Sequence, residues 1–461
     1  MNTPIFDFVQ RYASSEMTRF HMPGHKGQAL LGCEPWDITE INGADALYEA
    51  DGIIAESETN AATLFGSQRT LYSTEGSSQC IRAMLYLAIS HYNSISSHRG
   101  GNSHNADYCP QPHRQPVIVA ARNVHKAFVY AAALLDVQVV WLWPEESDSL
   151  CGCPISPEQL EQTLSQLDAP PAAVYLTSPD YLGGLADISV LADICHRYGT
   201  LLLVDNAHGA YLRFLQPSQH PLDLGADLCC DSAHKTLPVL TGGAYLHIAE
   251  KAPTQLTTQA KAALALFGST SPSYLTLASL DRCNALLAED YPARLAEMTA
   301  QIRQLKENLT AAHWMIEPSD PLRLTLRAPK GLTGMSLAQI LREHHIECEY
   351  ADESFLVLML TPANSLAELE HLLQALGQNH SPQTQPRRLP QARGQQVVSI
   401  RQALFSPHEI ISVEDALGRV CGTPTVSCPP AIPIAVSGER ITEEAMALFQ
   451  LYDVKKVDVL R

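Results

Sequence analysis

The sequence predicts an α/β protein: an open, mostly parallel sheet covered by helices, followed by a small α+β domain and a C-terminal domain. Three observations predict it. Short apolar, β-rich runs recur between about residues 70 and 250. Helical patterns separate them. After about residue 312 the pattern changes to mixed short strands and helices. Runs that are apolar throughout suit strands buried on both faces, which is the parallel-sheet situation. Strand–helix alternation implies right-handed crossovers in one sheet.

The strand candidates, in order, are PVIVAARN (Pro116 to Asn123), VQVVWLW (Val137 to Trp143), AAVYLTSP (Ala172 to Pro179), TLLLVDNAH (Thr200 to His208), DLCCDSAH (Asp227 to His234) and GAYLHIA (Gly243 to Ala249). Helical patterns such as SSQCIRAMLYLAISHY, HKAFVYAAALLD, SPEQLEQTLSQL and DISVLADICHRYG lie before and between them. A long helical stretch is expected from about Tyr274 to Ala312. PLRLTLRAP, SLAQILREHH, IECEYAD, SFLVLMLTP and SLAELEHLLQALGQ then read as the small α+β domain. The boundaries expected are 1–300 for the large domain with its N-terminal segment and 301–380 for the small domain. A Pro-, Gln- and Arg-rich linker is expected at 381–396 and the C-terminal domain at 397–461.

Composition narrows the function classes. The 46% hydrophobic and 17% charged content describe a folded, soluble chain. A net charge of −18 argues against a nucleic-acid partner, which needs clustered Lys and Arg, and suits a cationic small molecule. No apolar run reaches membrane-spanning length, and MNTPIFDFVQRYASSEM lacks the pattern of a secretory signal. The twelve cysteines follow no framework, so reduced thiols in the cytoplasm are expected. The stretch Asn93 to Pro116 holds His98, His104, Cys109 and His113 but fits no compact zinc spacing; Cys151 and Cys153 have no second pair nearby. No metal is expected.

In an open α/β sheet, ligands bind beyond the carboxyl ends of the strands. The strand Thr200 to Val204 ends at Asp205, before Asn206, Ala207 and His208. Another ends at Arg122, Asn123, Val124 and His125, and a third at Ser232, Ala233, His234 and Lys235. Upstream, Gly76, Ser77 and Ser78 precede an apolar helix, where free N–H groups and the helix dipole favour a phosphate. A phosphate turn, a ring-facing His, an Asp and a Lys in that order name pyridoxal 5'-phosphate. Lysine binds its aldehyde, and an acid holds its ring nitrogen protonated.

These residues resemble the bacterial ornithine/lysine/arginine decarboxylase family, pyridoxal phosphate enzymes with the aspartate-aminotransferase fold (fold type I, with a mostly parallel seven-stranded sheet). The resemblance rests on HMPGHKG (His21 to Gly27), DITEINGADALYEADGIIAESE (Asp37 to Glu58), RNVHKA (Arg122 to Ala127) and VDNAHGAY (Val204 to Tyr211). It continues in SAHKTLPVLTGGAYLH (Ser232 to His247), STSPSYLTLASLD (Ser269 to Asp281) and PPAIPIAVSGERITEE (Pro429 to Glu444). It implies that Lys235 forms the covalent link to the cofactor, Asp205 pairs with the ring nitrogen, and His125 stacks on the ring. It places Ser77, Ser78, Ser232 and His234 near the phosphate and Ala207 under the ring. Lys235 and His234 are both candidates for returning a proton to Cα. The resemblance further implies a homodimer or larger homo-oligomer with sites at the subunit interface, where Ser271 reaches the partner's phosphate. Glu439 is the candidate for the distal cation of a basic amino-acid substrate. The phosphate turn TEGSS, Asn206, Gly242 and Ala431 depart from the family pattern. Two other readings share these residues. One is an aminotransferase, which needs an arginine clamp such as Arg323 or Arg327. The other is a non-catalytic paralogue that binds the cofactor.

Overall fold

The computed structural model describes residues 1–99, 115–146, 148–377, 388–424 and 432–461. Its large sheet has seven strands: β1 (Arg69–Ser73), β2 (Val117–Ala121), β3 (Gln138–Leu142), β4 (Ala173–Thr177), β5 (Leu201–Asp205), β6 (Leu228–Asp231) and β7 (Ala244–Ile248). Their order is β1-β7-β6-β5-β4-β2-β3. All neighbours are parallel except the two pairings of β7. The six expected strands are present. β1 had not been expected: three of its five residues, RTLYS, are polar, so it lacks the continuous apolar run of the other strands.

Apolar side chains leave both faces of this sheet, as the side-chain period of two requires. Ile118, Ala120, Ala173, Tyr175, Leu201 and Leu203 enter one core; Val119, Ala121, Val174, Leu176, Leu202 and Val204 enter another. Burial on both faces explains why the strand sequences show no polar alternation. The first core receives the helices Ser77–Arg99 and Lys126–Leu134. The second receives Ile188–Arg197 from the large sheet's own crossovers and Glu443–Leu451 from the C-terminal part.

The expected helical stretch is present as two consecutive helices, Tyr274–Ala288 and Tyr291–Ala311. Glu289 leaves helical geometry at ψ −98°, and Pro292 opens the second helix, where its missing N–H costs nothing. The carboxylate of Asp281 on the first of them accepts the amides of Ile5 and Phe6, each at 2.9 Å, and so anchors the first turn of the N-terminal helix.

A second, antiparallel sheet contains β8 (Met315–Ile316), β9 (Arg323–Arg327), β10 (Tyr350–Ala351) and β11 (Phe355–Met359), in the order β10-β11-β9-β8. Of IECEYAD only Tyr350 and Ala351 form a strand, and β8, two residues long, carries no pattern to read. A third sheet pairs β12 (His408–Ser412) with β13 (Lys456–Leu460). Most of the Asn93 to Pro116 stretch and part of the expected linker lie outside the described residues, as do Pro429, Pro430 and Ala431.

One buried ion pair ties the C-terminal part to the large sheet. Arg122, at the end of β2, donates from Nη1 and Nη2 to the two carboxylate oxygens of Glu439, each at 2.7 Å. Its guanidinium packs over the rings of Trp141 and Trp143, at 4.7 and 4.5 Å from their centroids. Glu439 also accepts the Val436 amide at 2.8 Å. Removing one partner of such a pair strands a desolvated charge. Glu439→Ala is expected to lower unfolding free energy by about 3–5 kcal/mol, read as a lower urea midpoint. A midpoint within error of wild type would contradict this account of the anchor.

Candidate active site

The carboxyl ends of β2, β4, β5 and β6 open into a cavity of about 310 Å³, within the range of small-molecule sites. Its lining includes Gly76, Ser77, Ser78, His125, Asp205, Ala207, Ser232, His234 and Lys235. Every expected cofactor residue therefore meets at one place, from segments far apart in the chain.

At one end, Gly76 adopts a left-handed φ of +69° and its amide donates to the Gly242 carbonyl at 2.7 Å. This turn stops β1 and starts the helix Ser77–Arg99. Ser232 Oγ donates to Ser77 Oγ at 2.9 Å, joining the two serine-bearing turns. Gly242 is required by close approach: a Cβ there would lie 2.7 Å from the Thr74 carbonyl oxygen. The hydroxyls and free first-turn amides form a donor set for a phosphate.

At the other end, Asp205 is buried, 3% exposed. Its carboxylate accepts the Tyr175 hydroxyl at 3.1 Å, the Ala207 amide at 3.2 Å and the Cys230 thiol at 3.7 Å. These donors leave an acceptor facing the cavity in a fixed position, suited to a protonated ring nitrogen. His125 caps the helix Lys126–Leu134: its Nδ1 accepts the Ala127 amide at 3.1 Å, so the neutral ring carries its proton on Nε2. Burial pushes its pKa down, against the pull of Asp205. His234 Nδ1 pairs with the Gly243 carbonyl at 3.0 Å. Lys235 sits on the short helix Ala233–Thr236 that follows β6, half-buried. The residues fit pyridoxal 5'-phosphate: phosphate donors, a ring acid, an aromatic face and an amine share one cavity.

His208 and Tyr181 are among the lining residues that had not been expected at the site. His208 places Nε2 3.0 Å from Lys235 Nζ. Tyr181 lines the cavity and stands edge-on to His208, 5.2 Å between centroids. The histidine was legible as a strand-end residue, but nothing in the sequence says that it faces the lysine. Tyr181 follows the end of β4 in a loop and carried no signal.

Glu439 does not stand in the cavity. Both its oxygens are taken by Arg122, and it is 2% exposed. The expectation that it receives the substrate's cation is therefore corrected: its charge is already neutralised inside the protein. The carboxylates among the described lining residues are Glu75 and Asp205. Glu75 also accepts the Ser269 amide, tying the loop before Ser271 to the phosphate turn. Ser271 is exposed. Arg323 and Arg327 stand outside the lining. Arg323 donates to the carbonyls of Asp180 and Tyr181 at 2.9 and 2.7 Å, and Arg327 pairs with Glu317 and Asp148. Neither arginine faces the cavity in a position to clamp a substrate carboxylate there.

Beneath the cavity lies a fully buried network. Asp231 Oδ2 accepts from His220 Nε2 and His247 Nε2, each at 3.1 Å, and Oδ1 accepts the Asn206 amide at 2.7 Å. Two imidazoles and a carboxylate are metal-type ligands, but here each ring nitrogen donates to the carboxylate, and hydrogen bonding alone accounts for the cluster. Cys151 and Cys153 are buried free thiols.

Burial alone would raise the Asp231 pKa; His220 and His247 beside it outweigh that and hold it well below the usual carboxylate range. Burial pushes His247 down further than Asp231 pulls it up, and His208 falls well below its ordinary value through burial and the nearby Lys235. An unfolded histidine takes a proton below about pH 6.5, whereas His247 stays neutral in the fold. Its stabilising contribution is complete above that pH and is lost as pH falls, by about 1.4 kcal/mol per unit. Urea midpoints are expected to drop between pH 7.5 and 5.5, and to drop less steeply in His247→Gln. A flat pH profile in wild type would refute this assignment.

Residues 100–329 match the family model described as Orn/Lys/Arg decarboxylase, major domain. The uncharacterized protein YaaO of Bacillus subtilis is 30% identical, covering 97% of this chain and 93% of its own length. An arginine decarboxylase of Halalkalibacterium halodurans is 28% identical over 96% of this chain and 92% of its own. Among solved structures, the Francisella novicida lysine decarboxylase LdcF superposes with a TM-score of 0.78 at 17% identity, covering 100% of this chain and 81% of that one. A Sphingomonas wittichii serine palmitoyltransferase gives 0.55 at 13% identity, over 81% and 82%. The fold is that of pyridoxal phosphate enzymes of fold type I.

Proposed function

The chain belongs to the Orn/Lys/Arg decarboxylase family, pyridoxal 5'-phosphate enzymes, and from that premise we propose that it removes carbon dioxide from a basic amino acid, arginine first. The observation that carries the reading is the convergence of Lys235, Asp205, His125 and the Ser77–Ser78 turn on one cavity. Arginine is put first because relatives similar over nearly the whole chain are named arginine decarboxylases. The transaminase alternative loses support because neither candidate arginine lines the cavity and both are engaged by protein partners.

When bound, the cofactor supplies an electron sink for the pair released as the Cα–carboxylate bond breaks. The chain supplies the rest. Ser77, Ser78 and Ser232 would hold the phosphate end. Asp205 would hold a proton at the ring nitrogen. His125 and Ala207 would pack on the ring and exclude water from it. Lys235 would be the attachment point through Nζ, and either Lys235 or His234 would return a proton to Cα.

Purified protein is expected to be yellow and to release carbon dioxide and agmatine from arginine at enzymatic rates. Borohydride is expected to leave a pyridoxyl group on the Lys235 peptide, and Lys235→Ala to lose both colour and turnover. A Lys235→Ala protein that stays yellow would break the site assignment. An absence of carbon dioxide from arginine, lysine and ornithine alike would leave a cofactor-binding paralogue instead.

We also place this chain in a homodimer with sites near the interface. Phe20, Leu31 and Leu30 are 93%, 89% and 84% exposed, and Met17 and Met22 are exposed beside them. A cluster of large apolar side chains on one segment is costly in water and suits a protein interface. Sedimentation is expected to give at least twice the chain mass, and the triple change Phe20→Ser, Leu30→Ser, Leu31→Ser to reduce it; a wild-type monomer at micromolar concentration would remove the proposal.

A further inference from the structure

The geometry points to His208 as the group that takes the proton from Lys235 Nζ and so frees the amine to act as a nucleophile. This deepens the function proposed above and rests on its assignment of Lys235.

His208 Nε2 lies 3.0 Å from Lys235 Nζ, within hydrogen-bond reach. A lysine ammonium has three donors and no acceptor. The contact therefore makes Nε2 the acceptor and puts the neutral ring's proton on Nδ1. The ring is fixed for this task. Tyr181 stands edge-on to it at 84°, and the Tyr181 hydroxyl is itself held by Glu349 at 2.6 Å. His208 is buried, 6% exposed, so the proton on Nζ has a protein acceptor where the acceptor is otherwise water.

The charged and titratable groups near His208 come from several elements. Lys235 and His234 lie on the turn after β6, His125 on the turn after β2, and Arg323 on β9; the acids are Asp205 at the end of β5 and, behind the Tyr181 hydroxyl, Glu349. The basic groups among them disfavour a second positive charge beside a charged Lys235. Transfer adds none. One N–H bond at Nζ breaks, and its electron pair remains on nitrogen as the lone pair. One bond forms between the proton and the Nε2 lone pair. The pocket holds a single positive charge before and after, moved from lysine to imidazole. The freed lone pair is what an aldehyde carbon or another electrophile takes.

The test reads the amine directly, in the full chain stripped of cofactor. Acetic anhydride, which attacks neutral amines, is reacted at pH 7 and pH 10, and acetylation of Lys235 is timed by peptide mass spectrometry with Lys126 as the internal reference. His208→Ala and His208→Phe, the second of which keeps the aromatic edge against Tyr181, are compared with wild type. Both are expected to slow Lys235 by about tenfold or more at pH 7, with the gap closing at pH 10, where hydroxide replaces the base. Added imidazole is expected to restore His208→Ala. Lys235 modified at the wild-type rate in both variants at pH 7 overturns the inference, as does equal slowing at both pH values without imidazole rescue. Uptake of pyridoxal 5'-phosphate by wild type, scored separately, distinguishes this failure from failure of the cofactor reading: there, Lys235 would not capture the cofactor at all.

Discussion

Asp231 carries a carboxylate with no exposed surface, and the turn that bears Lys235 begins one residue later. A charge so placed persists only if donors surround it. They come from four directions: His247 on β7, His220 from the loop before β6, Asn206 after β5, and the Cys229 thiol on β6 itself, at 3.6 Å. His247 is in turn held by Thr70 on β1, at 2.8 Å. Strands β1, β6 and β7, the turn after β5 and the loop before β6 are thereby tied together next to the turn that bears Ser232, His234 and Lys235. The amine's position is set by polar contacts in the dry interior, where a shift of one partner leaves others unpaired.

The second constraint works from the opposite side. Arg122 ends β2 three residues before His125, and its charge is matched by Glu439 from the C-terminal part. Two tryptophan rings flank the guanidinium, so water does not compete for it. Through this pair the last part of the chain supports the strand end that presents the ring-facing histidine. A residue expected to read substrate charge instead helps hold the cavity wall in place.

Much of the site was legible because its chemistry is concentrated at strand ends. Asp205, His125, Ser232 and Lys235 each follow an apolar run, and Gly76-Ser77-Ser78 precedes a helix. His208 was visible as a strand-end histidine, but its direction was not. Glu439 misled because a buried acid in a motif looks the same whether it faces a substrate or an arginine 317 residues away. β1 was missed because RTLYS, three of its five residues polar, lacks the continuous apolar run that marks the other strands of the sheet, and β8 because two residues carry no pattern.

The amino-acid order alone determined the alternation of strands and helices, the two-sided burial of the large sheet, and the set of residues able to hold a phosphorylated aldehyde. These are local properties, set by side-chain periodicity and by the chemical types at strand and helix ends. Only the tertiary structure decided which polar groups pair: Asp231 with two histidines, Glu439 with Arg122, and His208 with Lys235. Electrostatic pairing depends on distance and burial between segments remote in sequence, and neither quantity is written in the order of residues.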